Sequence, residues 1–276
     1  MRTALLQLNS SDDPQENLPA VRDACRQAVA EGAGFVLTPE VTNCVSASRS
    51  RQNDVLSYER EDPFLAGLRD EAARAGAWVL IGSLGLKTDD ADGRFANRSF
   101  LLDPSGEIQA RYDKIHMFDV AVTETETYRE SAGYRPGGRA VVAETPFAKI
   151  GLSVCYDVRF SALYRALAQG GAEVLTVPAA FSPVTGAAHW EPLLRARAIE
   201  NGCYVLAPAQ CGTHAAARGR ARQTHGHSIG IDPWGQVLGD AGTAPGMVML
   251  DLDMKQVHSA RARVPALTHD RPFSGP

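Results

Sequence analysis

The chain has 276 residues, 28 Lys and Arg against 32 Asp and Glu, a formal charge of −4, and 44% hydrophobic and 22% charged residues. That is the balance of a soluble globular protein of one large or two small domains, and its mild acidity argues against a nucleic-acid binder working by bulk charge. No run reaches the ~18 apolar residues of a membrane span, the amino terminus turns acidic too soon for a signal peptide, and five irregularly spaced cysteines do not read as a disulfide framework, so a cytoplasmic location is expected.

Residues 3–8 (TALLQL) read as a first strand that ends in a polar turn over 9–13. A helix follows. Asp13 is placed to cap it, Pro14 suits its first position, and Glu16 stands three residues after the cap as in a capping box. Leu18, Val21, Cys25, Ala28 and Val29 recur at helical spacing until Gly32, while Pro19 counts against a regular first turn. Residues 35–37 (FVL) form a short buried strand that delivers Thr38-Pro39-Glu40. A second helix starts near Asp62-Pro63, carries Phe64, Leu65, Leu68, Ala72 and Ala75, and stops at Gly76. Residues 78–84 are a third strand, and 99–102 with 107–111 flank Asp103-Pro104-Ser105-Gly106, a turn in which Pro presets φ and Gly permits φ > 0.

The second half repeats the theme, with strands at 148–154, 173–177 and 204–207 and helices at 161–169 and 189–200. A hairpin over 229–238 turns through Asp232-Pro233-Trp234-Gly235. Strand–helix alternation with antiparallel hairpins between predicts helices packed outside sheets. No linker or low-complexity tract interrupts the chain, so residues 1–276 read as one domain, and the polar stretch 123–138 reads as a functional loop.

Cys155 ends an apolar strand just before a helix. A thiol there can lie near free backbone N–H groups, which lower its pKa and can hold an oxyanion. Cysteine is also among the most buried residue types, and Cys25, Cys44, Cys203 and Cys211 take that plainer role. None of the seven histidines stands out as the thiol's base. Glu40, at the end of a buried strand, is costly there unless it is paired, functional or capping local backbone. Lys114, within YDKIHMFD at 112–119, is either held among apolar groups or a snorkelling surface lysine. His225 and His227 with Cys211 and His214 match no zinc spacing, so no metal is expected. GLSVC breaks the Gly-x-Ser-x-Gly elbow at its final glycine, and no phosphate loop or dinucleotide fingerprint occurs.

Taken together, TPE at 38–40, YDKIHMFD at 112–119 and GLSVCYDVRF at 151–160 resemble, in order, the three catalytic blocks of the nitrilase (carbon–nitrogen hydrolase) superfamily. The resemblance runs over essentially the whole chain. It implies an α/β fold of the α-β-β-α four-layer sandwich type and a Glu-Lys-Cys triad of Glu40, Lys114 and Cys155 with no catalytic histidine. It also implies a second active-site glutamate at Glu130, sixteen residues after the lysine, orienting Lys114 or the substrate. The chemistry implied is hydrolysis of a small-molecule amide through a thioester without a cofactor, with Lys114 and the backbone N–H of Tyr156 on the oxyanion. A homodimer or higher homo-oligomer is implied, its interface including the tail 261–276.

Tyr156-Asp157 after the nucleophile, in place of Trp-Glu, looks like the Nit-type amidase branch. The blocks at 188–200, 209–212, 226–228 and 232–235 are similar to amidases of deaminated glutathione, which release 2-oxoglutarate and cysteinylglycine. The alternatives are an ω-amidase acting on 2-oxoglutaramate, another small amide or nitrile hydrolase, and a catalytically silent binding protein. The stretch 120–128 lacks the Pro-Gly expected over the site. His214 reads either as a pocket residue or as an exposed loop histidine. Arg159, Arg195 and Arg197 read as ion-pairing residues, with Arg159 a candidate for a substrate carboxylate.

Overall fold

The computed structural model describes every residue except Thr125, within the 120–128 stretch, and Pro276, the last residue of the tail. The first half consists of β1 (Arg2–Gln7), α1 (Pro14–Ala30), β2 (Phe35–Leu37), α2 (Arg49–Val55), α3 (Pro63–Ala75), β3 (Trp78–Leu86), β4 (Ala96–Leu102) and β5 (Ile108–Asp113). A small hairpin of β6 (Asp119–Ala121) and β7 (Thr127–Arg129) leads to β8 (Val141–Glu144), β9 (Lys149–Leu152), α4 (Ser161–Gln169), β10 (Val174–Thr176), α5 (Pro183–Asn201) and β11 (Tyr204–Ala207). A second small hairpin, β12 (Cys211–Thr213) and β13 (Gln223–His225), precedes β14 (Ile229–Ile231), β15 (Val237–Asp240), β16 (Gly246–Asp251) and α6 (Met254–Arg263).

Two six-stranded sheets result, in the orders β16-β1-β2-β3-β4-β5 and β15-β14-β11-β10-β9-β8. Each has a parallel centre with antiparallel flanks. β2 lies parallel to β1 and β3, with Leu37 opposite Leu5 and Leu80, and β10 lies parallel to β9 and β11, with Leu175 opposite Gly151 and Val205.

The period-two alternation of these strands explains the layering. Leu5, Phe35, Leu37, Leu80 and Leu101 share one core with Ile150, Leu152 and Val174 of the other sheet. Their neighbours Ala4, Leu6, Val36, Val79, Ile81, Phe100 and Leu102 point the other way, onto Val21 and Cys25 of α1 and Phe64, Leu65 and Leu68 of α3. On the second sheet the outer face is covered by Leu163, Tyr164 and Leu167 of α4 and Trp190, Leu194 and Ala198 of α5. The chain is thus an α-β-β-α sandwich.

The helix starts follow the expected chemistry, with one difference. Asp13 accepts from the Gln15 N–H, Asp62 accepts from Leu65 N–H at 2.7 Å, and Gly76 closes α3 in the left-handed region. Glu16, however, takes the Ser11 hydroxyl, and the Asp13 N–H goes to that same hydroxyl, so no capping box closes. Helix α5 begins at Pro183 rather than 189, because Pro183 fits its first turn. β16, unpredicted, completes the first sheet by pairing antiparallel with β1 from Arg2–Asp251 to Gln7–Gly246.

What positions the site is the carboxyl ends of the parallel strands, where open α/β sheets bind ligands. Glu40 lies three residues beyond β2 and Cys155 three beyond β9, while Lys114 comes directly after the antiparallel edge strand β5. A close crossing holds the first of these loops. A Cβ on Gly82 would lie 2.0 Å from the Thr38 carbonyl oxygen, 2.4 Å from that of Pro39 and 2.5 Å from Pro178 Cβ. Two of those atoms are backbone and cannot rotate away. Gly82→Ala is expected to lower unfolding free energy by about 1–3 kcal/mol or more, the range for overpacking. Denaturant unfolding checks this, and an unchanged midpoint would show that the loop can yield.

Candidate active site

Cys155 opens a short 3-10 turn (Cys155–Arg159) with φ of 51°, a left-handed conformation that costs a non-glycine residue of order 1–3 kcal/mol. Its N–H donates to the Pro178 carbonyl at 2.9 Å. Asp157 overdetermines the turn. Its carboxylate accepts from Val154 N–H at 2.9 Å and the Tyr112 hydroxyl at 2.7 Å, and from His116 N–H at 3.0 Å. The His116 ring nitrogen Nδ1 lies 2.7 Å from the same carboxylate. Tyr112 and His116 flank Lys114, so one carboxylate fastens the cysteine turn to the lysine segment.

The Glu40 turn is held in a similar way. Val41 follows it with φ of 44° and donates its N–H to Ser83 Oγ at 2.8 Å, while Thr38 and Thr42 hydroxyls bond each other at 2.7 Å. Glu40 Oε1 accepts from Lys114 Nζ and from Asn97 Nδ2, each at 2.9 Å, and Oε2 accepts from Ala180 N–H at 2.8 Å. Cys155 lines the same cavity, where the Glu40 charge acts on its thiol. Lys114 Nζ, 2% exposed, also donates to both oxygens of Glu130 at 2.9 and 2.8 Å. Glu130 is oriented in turn by Phe118 N–H at 2.7 Å and Asn97 Nδ2 at 3.4 Å.

These contacts set the protonation states. Burial pushes Glu40 upward, but the Lys114 ammonium and the hydrogen bonds outweigh it, so its pKa is lowered. Burial works against the charge on Lys114, but the Glu130 and Glu40 carboxylates raise its pKa well above the ordinary value. Burial, then the Glu40 charge, raises Cys155. The resting group is a carboxylate, an ammonium and a neutral thiol.

All four side chains line one cavity of about 780 Å³, with Phe118, Tyr134 and Phe181 as apolar walls and Arg49, Arg129, Arg220 and Arg222 along its polar side. The stretch without the expected Pro-Gly folds as the β6–β7 hairpin, pairing Asp119 with Arg129 and Ala121 with Thr127, and it places Tyr128 and Glu126 on the wall. The Tyr128 hydroxyl donates to Glu126 at 2.5 Å.

The remaining candidates lie outside this cavity. The Tyr156 ring packs edge-on against Phe118 and Phe160, so only its backbone can serve the site. Arg159 sits over the Tyr156 and Phe181 rings with Nη2 3.2 Å from His189 Nδ1, and it is not positioned to take a substrate carboxylate. Arg195 bonds the Gly235 carbonyl and Arg197 that of Val158. His214 is neither a pocket residue nor exposed. It is fully buried, with Nδ1 2.8 Å from the Ser10 carbonyl and Nε2 2.7 Å from Thr224 Oγ1. Both ring nitrogens are occupied by structural partners, which is why it cannot reach a substrate. Sequence reasoning missed Asn97, Asp157 and Ala180. Asp157 stood inside the cysteine block, next to Tyr156, whereas nothing local marks Asn97.

With this geometry in view, comparison with known proteins is decisive about family. The carbon–nitrogen hydrolase family model matches residues 2–262. The chain is 39% identical over 269 residues to a deaminated glutathione amidase of Yersinia enterocolitica, covering 97% of this chain and 92% of that one. It is 36% identical to the human protein of the same name, covering 98% and 82%. Among solved structures, the NitFhit protein of C. elegans superposes with a TM-score of 0.90 at 32% identity. That match covers 98% of this chain but 65% of the longer NitFhit chain. An amidase from Nesterenkonia, whose active-site cysteine has added acrylamide, gives 0.77 at 30% identity, covering 96% and 98%. The chain belongs to the carbon–nitrogen hydrolase family, and it is a hydrolase of carbon–nitrogen bonds.

Burial lowers the His214 pKa from 6.5 to about 4. The unfolded chain therefore binds the proton first, and folding stability falls as pH drops from 6.5 toward 4, by up to about 3 kcal/mol from this residue. Equilibrium unfolding at pH 7 and pH 4.5 should show a smaller acid loss in His214→Gln than in the native chain. An identical loss in both would refute the assignment.

Proposed function

We propose that the enzyme hydrolyses a linear amide with Cys155 as nucleophile, Glu40 as general base and acid, and Lys114 as oxyanion partner. The observation that carries this reading is Glu40, whose carboxylate is held by Lys114 and Asn97 at 2.9 Å each and shares one cavity with Cys155. Glu40 takes the thiol proton as Sγ attacks the amide carbonyl carbon. Lys114 Nζ and the Tyr156 N–H stabilise the oxygen as it gains charge. Glu40 passes the proton to the leaving nitrogen, the C–N bond breaks, and the acyl group stays on Cys155 as a thioester. Water then gives a proton to Glu40, attacks the thioester, and the acid leaves as the thiol is restored. Glu130 holds Lys114 between the carboxylates. The mechanism calls on no metal or organic cofactor.

For the substrate, the reading is deaminated glutathione, split to 2-oxoglutarate and cysteinylglycine, supported by relatives of that name over nearly the whole chain. An ω-amidase acting on 2-oxoglutaramate uses the same chemistry and is separated by competition. The five free cysteines support a reducing, cytoplasmic location. The single domain spans 1–276, and the protomers form a homodimer involving the tail 261–276. Exposed Trp234, Ile199, Val264 and Phe273 support such an interface, and a monomeric solution mass would oppose it.

The native protein and a Cys155→Ala variant, given deaminated glutathione and 2-oxoglutaramate together, are expected to differ by loss of cysteinylglycine release in the variant. Dominant ammonia release by the native protein would move the substrate to the ω-amidase side. Glu40→Gln and Lys114→Ala should each lose roughly 10²–10⁴-fold in kcat/KM, the range for acid–base and oxyanion groups. Retained near-native rates in either variant, with circular dichroism showing it folded, would overturn the roles of base and oxyanion partner.

A further inference from the structure

Four arginines line the cavity, and three are accounted for. Arg49 lies over the Phe95 ring and donates to the Gly133 and Gly93 carbonyls. Arg129 and Arg220 are exposed at the rim. Arg222 differs. It is partly buried, Nη2 donates to the Ala180 carbonyl at 3.3 Å, and Nε is buried with no hydrogen-bond partner. Among the described residues no carboxylate lies within ion-pair distance of Arg222. The nearby acids are already engaged, Glu40 and Glu130 by Lys114, and Glu126 by the Tyr128 and Ser182 hydroxyls. A half-buried guanidinium with an idle N–H is costly unless an anion arrives to fill the fork.

Its position fits that role. The Ala180 residue whose carbonyl receives Arg222 also gives its N–H to Glu40, so the guanidinium stands one residue from the base. Its charge acts on Glu40, Tyr128 and Tyr134, all on the cavity wall. Its backbone is fixed as well, because the Arg222 carbonyl accepts from His214 N–H at 2.9 Å next to the β12–β13 pairing.

We propose that Arg222 is the specificity-determining residue that binds a carboxylate on the acyl portion of the substrate. This rests on the amidase reading above, in which the acyl product is a dicarboxylate. It replaces Arg159, which packs on Tyr156 and Phe181 and does not line the cavity.

The test is binding rather than turnover, so it stands or falls separately from the identity of the natural amide. Cys155→Ala protein and Cys155→Ala/Arg222→Gln protein are titrated calorimetrically with 2-oxoglutarate, the neutral diamide glutaramide, and cysteinylglycine. The preference for 2-oxoglutarate over glutaramide, read as a ratio of Kd values, is expected to fall roughly 10- to 100-fold on losing the charged hydrogen bonds. Arg222→Lys, which keeps the charge but not the fork, should recover part of that ratio. An unchanged ratio, no 2-oxoglutarate binding to the Cys155→Ala protein, or an effect confined to cysteinylglycine would each overturn the proposal. Failure of the turnover assay with deaminated glutathione, with the binding result intact, would change the leaving group and keep the residue.

Discussion

The structure turns on one buried cation. Lys114, almost fully buried at the cavity wall, has its ammonium between two carboxylates that arrive from loops 74 and 16 residues away in sequence. A charge in such a place is tolerable only if every partner is in register, and removing one partner from a buried pair generally costs more than the pair contributes. The β2 loop, the end of β5 and the turn after β7 must therefore converge within hydrogen-bond distance, and Asn97 of β4 bridges the two acids. The same arrangement sets the charge states on which the proposed chemistry draws. Two acids keep the lysine charged, the charged lysine keeps Glu40 ionised, and burial together with the Glu40 charge raises the neighbouring thiol.

The two halves of the fold supply this convergence by the same device. Each parallel sheet centre ends in a loop whose third residue carries a reactive group, Glu40 from one sheet and Cys155 from the other. Each loop contains a non-glycine residue at positive φ, Val41 beside Glu40 and Cys155 itself. Strained backbone persists only where surrounding bonds overdetermine it. Ser83 performs that task for the first loop and Asp157 for the second. Asp157 does more, because its bonds to Tyr112 and His116 prevent the cysteine turn and the lysine segment from drifting independently.

The strands that carry the reactive loops were legible in the sequence for a physical reason. Buried parallel strands read as apolar runs, FVL at 35–37 and KIGL at 149–152, and a charged or polar residue placed just past one has little company but function. The helix limits at Asp13, Asp62 and Gly76 were legible because caps are local chemistry. β16 was not. Its pairing with β1 joins residues almost the whole chain apart, and no local pattern encodes a partner at that distance. Asn97 was hidden likewise, an asparagine inside a strand whose importance exists only once Lys114 and Glu40 are beside it. His214 was misplaced because a buried, fully bonded histidine and a pocket histidine look alike in sequence.

The substrate side of the cavity was the least legible part, and its construction shows why. Its wall comes from the β6–β7 hairpin, the start of α5, and the segment from Thr213 to Gln223, none of which carries a long apolar period. What orders the last of these is a polar chain. Thr224 meets the His214 ring, the ring meets the Ser10 carbonyl, and Gln210 joins the Ser10 hydroxyl to the Glu40 carbonyl. Arg222 hangs from the strand edge that this chain fixes. A neutral His214 thus links the backbone of Glu40 to the wall that would select an acyl group. Protonation of its ring would reverse the hydrogen bond to the Thr224 hydroxyl and place a charge in a fully buried site, at a point that touches neither Cys155 nor Lys114.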